Sequence, residues 1–277
     1  MKKKMSLKDS LKKGKVVYGP WCVIPSPSTI NVIAATGVDF VIIDMEHGPQ
    51  GFETVEDMIR AAEVEGCEAI VRVAKNDESL ILSALDIGAA GVIVPHIESR
   101  EDAVEAIAHV KYYPIGQRGF SPFTRAGGYS LRNVKDHAEK QNRKTMVILL
   151  LEGKGGIGNL DDILSIKDIR SKIDIIYIGA YDLSQAIGYP GQVDHPEVRR
   201  QLEISIQKIR KKGIAAGGYV AKNDKDIQWM TKLGMQFITL MPDCTILFHA
   251  FESFYPIISK KEKTISRRRV KINPDIL

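Results

Sequence analysis

The 277-residue sequence predicts an α/β fold, a single-domain (β/α)8 barrel with a C-terminal helical extension. Short runs rich in Val and Ile alternate with longer amphipathic segments, and eight such runs can be counted. The runs are apolar throughout, which is typical of parallel strands that are covered on both faces. Eight strands that are each followed by a helix in about 250 residues favour a closed barrel. An open doubly wound sheet usually has fewer strands.

The predicted strands are residues 16–23, 40–44, 69–73, 91–94, 146–151, 175–178, 214–217 and 237–240. Helical segments with recognisable ends lie between them. The segment from Glu53 to Glu65 has apolar residues at helical spacing and stops at Gly66. The segment from Ser99 to Val110 begins with a Ser cap, and Asp102 follows three residues later as in a capping box.

Two segments depart from this alternation. Residues 111–131 form a long loop rich in Gly, Pro and aromatic residues, with Arg118 and Arg125 in it. Loops of this length in compact domains are commonly functional or disordered, and the two arginines favour a functional role. From residue 257 the repeating pattern stops, so we divide the chain into a barrel, residues 1–259, and a basic tail, residues 260–277.

The composition is that of an ordinary globular protein, with 44% hydrophobic and 26% charged residues. The net charge of +5 comes largely from Lys and Arg near the two chain ends, which we interpret as solvated termini and not as a nucleic-acid-binding surface. The basic start lacks a signal peptide's apolar segment, and no apolar run reaches the roughly 18 residues of a membrane span. Three scattered cysteines, Cys22, Cys67 and Cys244, fit a reducing compartment, so we expect a cytoplasmic protein.

Titratable side chains follow four of the predicted strands. They are Asp44, Glu46 and His47 after the second strand, Arg72 in the third, Glu152 after the fifth and Asp182 after the sixth. Because the carboxyl ends of barrel strands converge on one face, we expect these groups to share a rim. Singly, each has a structural alternative: an acid can cap a helix, an arginine can form an ion pair, and a histidine can sit in a turn.

Two carboxylates from adjacent strands, Glu152 and Asp182, form a small set of oxygen ligands. Such a set suits a divalent ion that keeps positions open for water and substrate, and Mg²⁺, Mn²⁺ or Co²⁺ fits better than structural Zn²⁺. The turn at residues 179–182 presents backbone N–H groups that can bind a carboxylate. A cation beside such a turn indicates a 2-oxo acid substrate.

This arrangement can support enolate formation. A metal chelated by a 2-oxo acid stabilises charge on the keto oxygen, and Arg72 is our candidate for a second positive group there. Proton transfer needs a base that titrates near neutrality, which His47 supplies. Asp44 is expected to orient the His47 imidazole, so the two residues are interpreted as a dyad.

Several stretches resemble one family across nearly the whole chain. They are "DMEHGP", "IVRV", "GVIVPHIESREDA", "GQRGFSPFTRAGGYS", "LLEGKGGIGNLDDI", "GAYDLSQAIGYPGQVDHPEV" and "AAGGYV". They resemble the HpcH/HpaI-type class II, metal-dependent pyruvate aldolases, within the citrate-lyase-β-like and phosphoenolpyruvate-utilising TIM barrels. The resemblance implies that Glu152 and Asp182 are metal ligands, that His47 is the base with Asp44 as its partner, and that Arg72 contacts the keto oxygen.

The resemblance implies a carbon–carbon lyase that reversibly cleaves a 4-hydroxy-2-oxo acid to pyruvate, or a related 2-oxo acid, and an aldehyde. Ala180 and Tyr181 then lie at the carboxylate-binding turn, and Trp21, Arg118 and Arg125 shape the aldehyde side. Barrels of this family exchange their last helix between subunits as trimers of dimers. A homo-oligomer, a hexamer by analogy, is therefore expected.

Three positions depart from the family pattern and leave alternatives open. Leu150 replaces a usual Gln, Ala180-Tyr181 replaces a usual Pro-Ala, and His96 replaces a usual apolar residue. One alternative is a lyase that acts on CoA esters of the citramalyl or malyl type. The other is a barrel that has lost turnover and serves in binding, which Leu150 and Tyr181 motivate.

Overall fold

A computed structural model of the chain describes residues 5–221 and 223–261. Its eight strands pair in sequence order, each parallel to the next, and the first strand pairs with the eighth to close a barrel. The strands are β1 Val17–Cys22, β2 Phe40–Asp44, β3 Glu68–Arg72, β4 Gly91–Val94, β5 Met146–Leu151, β6 Ile175–Ile178, β7 Ala215–Ala221 and β8 Phe237–Leu240. The predicted (β/α)8 barrel is therefore confirmed.

Helices separate the strands. They are α1 Leu7–Lys12, α2 Pro27–Ala35, α3 Phe52–Val64, α4 Glu78–Asp86, α5 Arg100–Val110, α6 Val134–Lys144, α7 Gly153–Gly158, α8 Leu160–Ile163, α9 Ile169–Lys172, α10 Ala180–Ala186, α11 Pro196–Lys211, α12 Asp224–Lys232 and α13 Asp243–Lys261. The capping box predicted for α5 is present, since Ser99 and Asp102 each accept the other's backbone N–H. Three short helices, α7 to α9, stand between β5 and β6 where a simple repeat has one.

Apolar side chains fill two separate layers. One layer lies between the strands and the surrounding helices and contains residues such as Val41, Ile43 and Leu149. The other lies inside the barrel, where Phe40 and Phe237 stack with ring centroids 4.0 Å apart. Because neighbouring residues of a strand point to opposite faces, a strand that faces both layers must be apolar at every position, as the sequence predicted.

The amino end of the barrel is closed by α1. Leu7 and Leu11 belong to the inner apolar layer, and the Lys8 ammonium is 3.0 Å from the Asp174 carboxylate. Our interpretation of the first basic run as a solvated terminus is therefore wrong for this helix. Leu7 and Leu11 are four residues apart and lie on one face of α1, next to lysines that are more exposed, so the segment is amphipathic. Its many lysines made this pattern hard to recognise in the sequence.

The chain divides into two compact units, Met1–Asp243 and Cys244–Leu277. The first contains the barrel. The second contains most of α13, whose apolar residues Ile246, Leu247, Phe248, Phe251 and Phe254 are exposed. The predicted boundary at residue 259 falls inside this helix, and the basic tail lies outside the described residues from position 262. Among the described residues, no helix has the length and apolar character needed to cross a bilayer.

Candidate active site

The polar groups predicted at the strand ends do come together at the carboxyl end of the barrel. Asp44 and Arg72 are the last residues of β2 and β3, and they lie opposite each other in the register of this pair. Glu152 follows β5, and Asp182 lies in the first turn of α10, directly after β6. Parallel register therefore brings residues that are distant in sequence to one rim.

Asp44 and Arg72 form a two-pronged ion pair. Arg72 Nε is 2.8 Å from Asp44 Oδ1, and Nη2 donates to Oδ2. The Arg72 guanidinium lies over the Trp21 ring, 4.5 Å from its centroid, and Nη1 is 2.8 Å from Glu46 Oε2. Burial by itself lowers the pKa of Arg72, but the bonds and charge of Asp44, followed by those of Glu46 and Glu152, raise it overall. Arg72 is thus a fixed positive charge at the rim.

The expected contact between Asp44 and the His47 imidazole is absent. Asp44 Oδ1 accepts the backbone N–H groups of Glu46, at 3.0 Å, and His47, at 3.3 Å, so the carboxylate holds the turn and Arg72 instead. The His47 ring is exposed and makes no hydrogen bond or ion pair with any described residue. The dyad interpretation is therefore wrong in its geometry, because Asp44 pairs with Arg72 on the neighbouring strand and not with His47.

Glu46, His96 and Glu152 form a tight cluster, with one ligand atom of each within 4.8 Å of the others. His96 Nε2 is 2.8 Å from Glu46 Oε1, and Nδ1 is 3.1 Å from Glu152 Oε1. The backbone N–H of His96 also donates to Glu152 Oε1, at 2.9 Å. His96 has a φ of 55°, in the left-handed region that side chains other than Gly seldom occupy. The backbone after β4 is thus bent so that this residue faces two acids.

Asp182 lies on the other side of Glu152. A Cβ added to Gly179 would lie 3.1 Å from Asp182 Oδ2 and 3.4 Å from Glu152 Cβ, so both acids flank this glycine. Burial raises the pKa of Glu152, the His96 hydrogen bond partly opposes that rise, and the charges of Glu46 and Asp182 add to it. The Asp182 carboxylate makes no hydrogen bond with the described part of the chain.

These residues fit a divalent metal ion. Two carboxylates, Glu46 and Glu152, contact one imidazole, and a third, Asp182, lies beside Glu152. Buried Glu46 Oε2 has no aligned hydrogen-bond donor among the described residues although Arg72 is close to it. Convergent carboxylates repel each other unless a cation lies between them. A donor set of oxygens with one histidine nitrogen suits Mn²⁺ or Co²⁺ and still accepts Mg²⁺.

Two aromatic side chains, Trp21 and Tyr177, pack inside the barrel next to the rim. Trp21 Nε1 donates to the Tyr177 hydroxyl at 3.3 Å, and that hydroxyl lies 2.8 Å from Thr239 Oγ1. Leu150, where close relatives are expected to have Gln, is buried in the inner apolar layer. Trp21 also packs against Arg72, whose guanidinium lies over its ring. Its place on the aldehyde side stays a prediction.

The predicted carboxylate-binding turn is the start of α10. Ala180 is buried, whereas the Tyr181 side chain is 47% exposed, so the phenol does not fill the space inside the barrel. The first N–H groups of a helix have no acceptor within the helix, and those of this turn are next to Asp182. The bulk of Tyr181 therefore leaves the turn open.

Arg118 and Arg125 are not at this rim. Arg118 Nη2 is 2.7 Å from Asp86 Oδ1, and Arg125 pairs with Glu63 and donates to the carbonyl of Ile87. These partners are at the carboxyl ends of α3 and α4, which is the amino end of the barrel. The loop follows a helix and not a strand, and helices of a (β/α)8 barrel run back toward the amino end. The prediction that both arginines shape the aldehyde side is corrected accordingly.

The sequence placed Glu46 among the titratable groups at the strand ends without assigning it a role, and His96 stood out only as a departure from the family pattern. The structure places both in the cluster with Glu152, whose ligand atoms are close enough together to hold a metal ion. The available signal was their position at strand ends, Glu46 two residues after β2 and His96 two residues after β4. Spacing along the chain could not show that they face each other.

Comparison with known proteins matches residues 18–250 to a family described as HpcH/HpaI aldolase/citrate lyase. A 4-hydroxy-2-oxo-heptane-1,7-dioate aldolase of Escherichia coli is 32% identical, over 90% of this chain and 92% of its own length. A pyruvate aldolase of Rhizobium etli is 31% identical, over 89% and 94%. The solved structure of a citrate synthase, SbnG, has 33% identity and a TM-score of 0.81, covering 93% of this chain and 99% of that one.

Proposed function

The chain belongs to the HpcH/HpaI aldolase/citrate lyase family of metal-dependent aldolases, and from this premise we propose its reaction. The reaction is reversible cleavage of a 4-hydroxy-2-oxo acid to pyruvate, or a related 2-oxo acid, and an aldehyde. The observation that carries the proposal is the convergence of Glu46, His96 and Glu152 beside Arg72 at the carboxyl ends of the strands. Relatives named as aldolases for such substrates support it.

Glu152 and Asp182 are proposed to hold the metal ion, and His96 or Glu46 completes the protein ligands. Glu152 is central because it touches His96 on one side and flanks Gly179 with Asp182 on the other. When bound, a divalent metal polarises the keto group of the substrate and stabilises the negative charge that develops on its oxygen.

Arg72 is proposed to donate to the same keto oxygen. Its guanidinium is held by Asp44 below and stacked on Trp21, so no reorganisation is needed when charge develops. His47 is proposed as the base that accepts the proton of the 4-hydroxyl group, because its ring is exposed and has no competing partner among the described residues. The N–H groups at residues 180–182 are proposed to bind the substrate carboxylate.

The test is a retro-aldol assay against a panel of 4-hydroxy-2-oxo acids, with Mg²⁺, Mn²⁺, Co²⁺ or a chelator. We expect 2-oxo acid release only when a metal is present, with Mn²⁺ or Co²⁺ at least as effective as Mg²⁺ because of the His96 nitrogen. Release that survives the chelator, or that survives Glu152→Ala combined with Asp182→Ala, contradicts the proposal. Glu101→Ala, an exposed acid on α5, is the matched control.

A second candidate reaction is bond formation that yields citrate, because a named citrate synthase is 33% identical over nearly its whole length. The same panel therefore includes citrate formation and citrate cleavage. A CoA ester needs a site for its phosphate groups. The CoA-ester alternative has less support, because a cavity lined by Lys12, Arg170 and Arg210 is at the amino end of the barrel, away from the rim. The exposed Tyr181 ring likewise weakens the motive for an inactive barrel.

A homo-oligomer, a hexamer by family analogy, also remains a proposal. It is supported by the exposed apolar residues of α13, among them Phe248 and Phe251. Light scattering after gel filtration tests it, and Phe248→Glu with Phe251→Glu is expected to lower the particle mass. A cytoplasmic location is proposed as well, supported by the three free cysteines.

A further inference from the structure

A second polar site is present at the opposite end of the barrel. A cavity of about 280 Å³, here called the amino-end cavity, lies between α1, α9 and the end of α11. Its charged and amide lining residues are Lys8, Lys12, Arg170, Asp174, Arg210 and Gln236. The fold thus places four cationic side chains and one acid around a single concave space.

The single acid is already neutralised. Asp174 lies 3.0 Å from the Lys8 ammonium, and its Oδ2 also accepts the backbone N–H of Val147 at 3.0 Å. Within the described parts of the chain, Lys12, Arg170 and Arg210 have no carboxylate within ion-pair distance. The cavity therefore has three uncompensated positive charges.

Arg210 is held in place by neutral acceptors. Its Nη1 donates to the carbonyl of Ile214, at 3.2 Å, and to the side-chain oxygen of Gln236. Gln236 in turn donates to the carbonyls of Leu11 and Lys15, which fixes its amide. Burial lowers the pKa of Arg210, and no acid offsets that effect. Arg210 is therefore held without an anionic partner among the described residues.

Arg170 is positioned by a glycine. A Cβ added to Gly213 would lie 3.0 Å from both Cδ and Nε of Arg170, so the side chain lies directly against this backbone. Gly213 has a φ of 74°, which favours glycine in any case. The turn after α11 therefore leaves room for Arg170 at the edge of the cavity.

We propose that the amino-end cavity binds a small oxyanion with two or more negative charges, either a phosphate group or a dicarboxylate. Two guanidinium groups offer paired N–H donors that match phosphate and carboxylate oxygens, and Lys12 adds a third positive charge. The volume suits a small metabolite and excludes a nucleic acid strand.

The site is separate from the rim. The four-residue strand β6 begins after Asp174, at the cavity, and ends before Ala180, so roughly 13 Å of strand separates the two ends. A bound anion bridges α1 to α9 and α11, and it stabilises the folded chain by mass action.

Titration calorimetry on the full-length protein without divalent metal tests the site, first with inorganic phosphate and then with malonate at low ionic strength. We expect saturable binding of at least one of them, and the tighter one identifies the preferred chemistry. Lys12→Gln combined with Arg170→Gln should weaken that binding about tenfold or more, because charge-assisted bonds are lost. Circular dichroism melting checks that this variant folds.

Two matched variants make the outcome decisive. Arg132→Gln, at an exposed arginine of the same charge, should leave affinity unchanged. Glu152→Gln should also leave it unchanged, since that residue is at the rim. No binding of either anion, equal binding by the double variant, or loss of binding in Glu152→Gln alone overturns the proposal. Because metal and aldol substrate are absent, these outcomes do not depend on the proposed reaction.

Discussion

Two buried arginines invite comparison because each has the same two kinds of direct partner, an aspartate and an aromatic ring. Arg72 is bound to Asp44 and lies over the Trp21 ring at 4.5 Å, while Arg118 is bound to Asp86 and lies over the Tyr112 ring at 4.6 Å. The first is at the carboxyl end of the barrel and the second at the amino end. The pairs themselves therefore do not distinguish a functional arginine from a structural one.

The difference lies in what surrounds each pair. Beside Arg72, Glu46 and Glu152 meet at His96, and Asp182 lies next to Glu152, so acids outnumber cations at this end. At the amino end, Glu63 and Asp174 each have a basic partner, and it is the cations that are in excess. Uncompensated charge, more than burial or pairing, thus identifies the groups that are available to a ligand.

The largest effect that this comparison predicts is at Glu152. Glu152→Gln keeps the shape of the side chain but removes the charge at the centre of the cluster, so metal affinity should collapse and turnover should fall roughly a thousandfold. Metal titration and the retro-aldol rate measure the two effects. Glu101→Gln, on the exposed face of α5, is the control. Unchanged metal affinity in Glu152→Gln would contradict the claim that the uncompensated acids mark the metal site.

The second prediction exchanges the two arginines for lysine. Arg72→Lys loses the planar guanidinium that binds Asp44 and that we propose also binds the keto oxygen, so kcat/KM should fall about a hundredfold. Arg118→Lys, the matched control, should leave kcat/KM within about twofold and lower the free energy of unfolding by about 1 kcal/mol. Steady-state kinetics and urea unfolding measure both. Equal kinetic losses in the two variants contradict a functional difference between the ends.

The third prediction concerns Lys111, which is fully buried and donates to the carbonyls of Asn142 and Thr145. Burial, with a smaller contribution from Lys8, lowers its pKa from 10.5 to about 8. Between about pH 8 and 10.5, Lys111 is protonated in the unfolded chain but largely neutral in the folded one. The free energy of unfolding therefore rises with pH across this window. Below about pH 8 Lys111 is protonated in both states, and no such rise occurs. The gain should be about 3 kcal/mol.

Urea unfolding between pH 7 and 10.5 measures this gain as the difference between the wild type and Lys111→Met. The variant lacks the group, so the wild type should gain stability relative to it as pH rises. Lys135→Met, at an exposed lysine of α6, should show no such difference. Parallel curves for the wild type and Lys111→Met show that the buried ammonium is not destabilised.

The smallest expected effect is at Arg125, which the sequence placed at the reactive site. Arg125→Gln should leave kcat/KM within about twofold, because the pair with Glu63 is at the other end of the barrel and pairs of this kind contribute about 1 kcal/mol or less. Kinetics over the substrate panel check this. A large loss places the loop of residues 111–131 at the site after all.

The strands could be predicted because strands that are buried on both faces are apolar at every position, and all eight apolar runs proved to be strands. The rim could be predicted because strand ends converge. Which rim residues contact each other could not be predicted. Asp44 pairs with Arg72 because the register of β2 and β3 places them opposite each other, although His47 is closer to Asp44 in the sequence. The short helix α1 was missed because its lysines dominated the composition of that segment, while two leucines carried its packing.

The pair of Asp44 and Arg72 has one more consequence, for folding. Asp44 and Arg72 lie directly opposite each other only when β2 and β3 pair in the native register. A slip by one residue turns one of them toward the other face of the sheet, where it is buried without its partner, and an unpaired buried charge is strongly unfavourable. The pair at the reaction centre therefore also selects the correct alignment of two strands that are otherwise uniformly apolar.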